Sequence, residues 1–119
     1  MSHSPQQYRD ATKAIGAKLK VLRGVMPETM KVFHDLQQTT TAPAALDAKT
    51  KEFIALALGV AARCEGCVAF HAQALAKLGA TREEVADTLA MAVLMGGGPS
   101  MMWAAEAITA FDEFIAPNP

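Results

Sequence analysis

Apolar residues recur along the chain at intervals of three and four, the spacing of one helix face. Tyr8, Ala11, Ile15, Leu19 and Leu22 form such a stripe over residues 6–25, with Lys13, Lys18, Lys20 and Arg23 on other faces. Gly16 and Gly24 weaken this first helix. Pro27 suits the opening position of a second helix, whose stripe is Met30, Phe33 and Leu36 and which Thr39 to Pro43 brings to an end. Asp47 is placed to cap a third helix from about Ala48 to Ala62. After Glu52 that segment is apolar nearly all round, which predicts a central, buried helix. Gly66 allows a turn, and a fourth helix follows from about Cys67 to Leu78, with Gly79 just past its end. Thr81 and Glu84 form a capping box that starts a fifth helix at Arg82. It stops near Gly96-Gly97-Gly98, and Pro99 opens a sixth that reaches about Ile115. No stretch alternates as a strand would, so the fold class is all-α with about six helices.

Composition agrees. Alanine occupies 24 of 119 positions, and aromatics make up only 6%. Alanine favours helix but fills a core thinly, so a chain this short is expected to complete its burial in a homo-oligomer. Length gives one domain, residues 1–119. Eleven basic and twelve acidic side chains leave a net charge of -1, which excludes the basic footprint of a nucleic-acid binder. The uncharged run Phe53–Ala62 is about half of what crosses a bilayer. Met1-Ser2-His3-Ser4-Pro5 lacks a signal-peptide pattern, which predicts no membrane association and a cytoplasmic location.

The chain's two cysteines, Cys64 and Cys67, are separated by two residues at a helix start. In a reducing compartment such a pair is redox-active or metal-binding rather than a staple. The helix N-terminus favours a thiolate on whichever sulfur points at its free N–H groups. His71 follows Cys67 by one turn and shares its face, where an imidazole can take the thiol proton. A third group must orient that histidine, and Glu52 is the candidate. Two buried, inert thiols are the plain alternative. A metal site using Cys64, Cys67 and His71 would need a fourth ligand, and no second Cys/His pair follows. For Glu52, the plain alternative is a first-turn acid complementing the helix dipole.

Glu52, eleven residues, Cys64-x-x-Cys67, three residues, His71 resembles the pattern of the carboxymuconolactone decarboxylase and alkyl hydroperoxidase D family. Leu46 to Glu52 resembles the family's lead-in, His71 to Val85 its continuation, and Gly96 to Pro99 its break before the last helix. The resemblance spans roughly Met26 to Phe111. It implies an all-helical, cofactor-free domain that assembles as trimers or hexamers. In the peroxidase branch Cys67 would attack the hydroperoxide. Cys64 would resolve it and exchange disulfides with a dithiol or a small redox protein. His71 would pass protons with Glu52 behind it. The decarboxylase branch typically lacks the cysteine pair, so the pair favours a thiol-dependent antioxidant enzyme. Family members often carry histidine immediately before the second cysteine, whereas this chain has Gly66, preceded by Glu65. The Glu65 charge works against a thiolate and Arg63 works for one.

Two other functions remain open to the sequence. One is a cofactor-free lyase acting on a small lactone acid through His71 and Glu52, with no need of thiols. The other is a non-enzymatic oligomer that senses redox state. Geometry poses its own question, because twelve helical residues separate Glu52 from Cys64 by about 18 Å. A relay then needs crossing helices, an irregular turn near Cys64, or a glutamate from another subunit. Met91, Met95, Met101, Met102 and Trp103 are expected in the core or at a subunit contact, His34 in solvent or the core, and His3 and the tail after Ile115 outside regular structure.

Overall fold

The computed structural model describes residues 6–117. It contains α1 (Gln7–Val25), α2 (Pro27–Thr41), α3 (Ala48–Ala61), α4 (Glu65–Lys77), α5 (Arg82–Gly96) and α6 (Gly98–Ile115), with no strand among the described residues. The helix starts follow from their caps. The Asp47 carboxylate accepts the Thr50 N–H at 2.7 Å, and Thr81 and Glu84 exchange both hydrogen bonds of the capping box. Gly97, with φ +68, turns the chain between α5 and α6, and Pro99 stands in the first turn of α6.

The core lies between α3, α4, α5 and α6. Leu56 and Val60 meet Val68, Ala69, Ala72 and Leu75 of α4, together with Val85 and Leu89 of α5 and Ala107, Ala110 and Phe111 of α6. Alanine's small side chain lets these helices approach closely. Burial of Phe111, Leu56 and Leu75 supplies about 1.5–3 kcal/mol per side chain.

α1 is fastened across this bundle at its first turn. The Glu113 carboxylate, 6% exposed, accepts the backbone N–H of Tyr8 at 2.8 Å and of Arg9 at 3.0 Å. A side chain of α6 therefore satisfies donors that a helix start leaves orphaned. The Arg9 guanidinium returns bonds to the carbonyls of Glu113 and Ala116, and the buried Tyr8 hydroxyl donates to Glu106.

Several expectations are corrected. α1 runs through Gly16 and Gly24 without interruption, because its anchoring outweighs about 1 kcal/mol of lost propensity per glycine. α3 is buried on one face only, with Ile54 45% and Leu58 64% exposed. No residue of α2 is buried, and Phe33 and Leu36 of its stripe face outward. The four methionines near the glycine break are exposed on the single chain, so none of them lies in its core, while Trp103 is half-buried against that core. α4 begins at Glu65, not Cys67, so Gly66 lies inside its first turn. His34 is exposed. His3, Asn118 and Pro119 lie outside the described residues, and Ala116 and Pro117 follow the end of α6.

Candidate active site at the junction of α3 and α4

The turn between α3 and α4 is irregular. Ala62 ends α3, and Arg63 then adopts φ +57. The Arg63 N–H bonds to the Val60 carbonyl and the Cys64 N–H to the Gly59 carbonyl, both at 3.1 Å. This is a Schellman motif, in which the left-handed residue is usually glycine. The same two bonds close α4, where Gly79 holds that position with φ +76. At the cysteine pair the chain accepts arginine instead, although a left-handed conformation costs an L-residue about 1–2 kcal/mol.

Cys64 is the N-cap of α4. Its sulfur accepts the Cys67 N–H at 3.2 Å, the bond a serine or aspartate oxygen usually takes. The sulfur that points at the helix's free donors is thus Cys64. Cys64 and Cys67 are joined as a disulfide with Cα atoms 5.2 Å apart, and both are half-buried. Gly59 of α3 lets the two helices come together here. A Cβ at position 59 would lie 3.1 Å from the Cys67 Cβ, tighter than side chains ordinarily tolerate. Arg63 and Glu65 flank the pair and are exposed.

His71 stands one turn beyond Cys67 on α4, and its Nδ1 lies 2.6 Å from Glu52 Oε2 on α3. An ionised carboxylate only accepts, so Nδ1 donates and Nε2 remains for proton exchange. The Glu52 side chain is 13% exposed and that of His71 30%. The separation posed by the sequence is thereby answered within one chain. Glu52 meets the histidine, which stands one helical turn farther along α4 than Cys67. All four candidate residues, Glu52, Cys64, Cys67 and His71, converge on the α3–α4 pair. Among the described residues no cluster of three or more histidine, cysteine or acidic side chains has the geometry to hold a metal ion. Among the described residues no helix is long and apolar enough to cross a membrane.

Three features escaped the sequence reading: the Cys64 cap, the left-handed Arg63 and the close approach at Gly59. A pattern search for N-caps seeks oxygen side chains, and left-handed residues are sought at glycine, so the first two carried no ordinary signal. Gly59 did carry one, as a glycine inside an apolar helix.

The sequence model of the carboxymuconolactone decarboxylase family matches residues 27–110. A carboxymuconolactone decarboxylase family protein from Legionella pneumophila, crystallised in the apo form, is 54% identical, with a TM-score of 0.90 over 93% of this chain and 99% of its own. A family protein from Thermotoga maritima with a suggested part in an antioxidative response is 29% identical, with a TM-score of 0.67 over 71% of this chain and 88% of its own. An uncharacterized protein from Cupriavidus necator is 38% identical over 102 residues, 86% of this chain and 90% of that protein. The chain belongs to the carboxymuconolactone decarboxylase family.

Proposed function

We propose that the protein is a thiol-dependent enzyme that reduces hydroperoxides through Cys67 and Cys64. The observation that carries this reading is the 2.6 Å contact between Glu52 and His71, one helical turn from a disulfide that can open and close. In the reduced protein, His71 Nε2 takes the Cys67 proton while Glu52 stabilises the resulting imidazolium. The Cys67 thiolate attacks the distal oxygen of the hydroperoxide. The O–O bond breaks as the S–O bond forms, and the alkoxide leaves as an alcohol with the proton from His71. Cys67 is now a sulfenic acid. The Cys64 sulfur, favoured as a thiolate by the start of α4, attacks the Cys67 sulfur; the S–O bond breaks and the hydroxide leaves as water with the proton that Cys64 had given up. An external dithiol reduces the disulfide and is itself oxidised to a disulfide.

The Thermotoga relative's suggested antioxidative role supports the same reading. The protein works as a homo-oligomer, a trimer or hexamer. α2 has no buried residue in the single chain, and Val32, Phe33 and Leu36 stand exposed on it. A 15-residue helix with no buried residue is marginal in water, so a second copy covers it.

The test is mass spectrometry of the reduced protein after one equivalent of an organic hydroperoxide, with free thiols alkylated at timed points. Rapid loss of both alkylatable thiols is expected, and Cys64→Ser should trap a sulfenic acid on Cys67. If both thiols stay alkylatable, the reading fails. Turnover of a lactone acid by a variant with both cysteines changed to serine would then identify a lyase.

A further inference from the structure

α1 lies outside the residues matched by the family's sequence model, yet it reaches the cysteine pair. A Cβ placed on Gly66 would meet Ile15 Cδ1 at 3.5 Å and Cγ2 at 3.9 Å. Ile15 therefore occupies the space that a longer side chain between the cysteines would fill. Its position is not incidental, because Glu113, Arg9 and Tyr8 pin the start of the same helix to α6.

Two flanks of the disulfide are thus walled by backbone and apolar side chain. α3 closes the Cys67 flank at Gly59, and α1 closes the Gly66 flank at Ile15. Cys64 stands between Arg63 and Glu65, both exposed, and is the sulfur an external thiol would attack. A thiolate must attack a disulfide nearly along the S–S axis, so a covered flank restricts the shape of the attacking molecule. We propose that Ile15 is a specificity-determining residue, seated on Gly66 so that the Cys64–Cys67 disulfide accepts a slender dithiol and resists one embedded in a broad protein face. This inference rests on the redox reading above and names its reductant class. The attacking thiolate forms a mixed disulfide with Cys64 and releases Cys67. The reductant's second thiol then displaces Cys64, leaving two protein thiols and an oxidised reductant.

The test measures reduction of the oxidised full-length protein by dithiothreitol and, separately, by reduced thioredoxin as a bulky probe. Released thiols are trapped by rapid alkylation, and circular dichroism checks helix content. Ile15→Ala opens the flank directly, and Ile15→Ser does so with a polar side chain of similar size. Both should raise the thioredoxin rate several-fold while the dithiothreitol rate stays within about threefold of wild type. Gly66→Ala fits at 3.5 Å and should leave both rates unchanged. A thioredoxin rate that stays level or falls in both opening variants overturns the proposal, as does a parallel rise with both reductants. The assay uses no hydroperoxide. Failure of the peroxidase reading would appear instead as reduced protein that a hydroperoxide does not oxidise.

Discussion

Replacing Glu52 by glutamine tests the relay with little change of shape. The amide oxygen can still accept the His71 Nδ1–H, but the negative charge that steadies an imidazolium is gone. The magnitude follows from the contact. At 2.6 Å, with only 13% of the Glu52 side chain exposed, the pair has the length of a charge-assisted bond shielded from water. Such bonds contribute about 1.5–3 kcal/mol, against about 0–1 kcal/mol for an exposed ion pair. If about 1.4–2.7 kcal/mol of that contribution is lost as the imidazolium forms, Glu52→Gln slows Cys67 oxidation by about 10- to 100-fold. The assay is rapid-quench oxidation by tert-butyl hydroperoxide in a Cys64→Ser background, so that only Cys67 reports. His71→Gln should be slower still. Because Glu52 acts only through His71, the double variant should match His71→Gln alone rather than show the product of the two losses. A Glu52→Gln rate within about twofold of its parent, or additive losses in the double variant, would refute the relay.

Glu113→Ala removes the acceptor for two backbone donors of α1 and should lower unfolding free energy by about 2 kcal/mol in urea titrations, with Glu113→Gln losing less. Arg63→Gly relieves the left-handed strain and should raise or preserve the urea midpoint, whereas Gly79→Ala at the equivalent position should cost about 1–2 kcal/mol. The same Arg63→Gly variant loses a positive charge beside Cys64, so its reduced thiols should alkylate more slowly at neutral pH. Burial, followed by the hydrogen bond to Glu106, pushes the Tyr8 phenol well above its ordinary range. Since the folded state holds that proton more tightly than the unfolded chain does, Tyr8 stabilises fully below pH about 10 and loses its contribution above it. Melting curves should therefore show the gap between wild type and Tyr8→Phe narrowing as pH rises past 10, and a constant gap would refute the assignment.

The helices were legible because their stop signals are local. Asp47, Thr81 with Glu84, Gly79 and Pro99 each act within a few residues, and each stands at a helix boundary. The site's residue types were legible for the same reason, since Cys67 and His71 share one helix. What a one-dimensional reading misses depends on contacts between distant segments. Glu113 reaches back 105 residues to the Tyr8 N–H, and its sequence neighbourhood offers no hint of a cap. The prediction that α3 is buried all round followed from an apolar count, but a single chain lacks the surface to cover Ile54 and Leu58. Gly66 read as a turn former because glycine commonly is one. The turn instead falls at Arg63, and the glycine answers to Ile15.

On the peroxidase reading, the arrangement would divide two kinds of activation between two sulfurs. The start of α4 acts on Cys64, through an N–H that points at its sulfur. The Glu52–His71 pair lies a turn beyond Cys67, on the face that residue shares. A single activated thiol would suffice for attack on a peroxide, but the product would stay a sulfenic acid exposed to further oxidation. Resolution needs a second sulfur that is already nucleophilic and close, and a cap position in the same turn meets both requirements. The Schellman motif fixes this geometry by tying the Cys64 N–H to Gly59, the residue that also lets Cys67 rest against α3. Arginine in the left-handed position then makes physical sense despite its strain. Glycine would ease the backbone but would remove the positive charge next to Cys64 in the chain. If that is why arginine stands there, Arg63→Lys should keep thiol reactivity where Arg63→Gly loses it, at equal or lower stability.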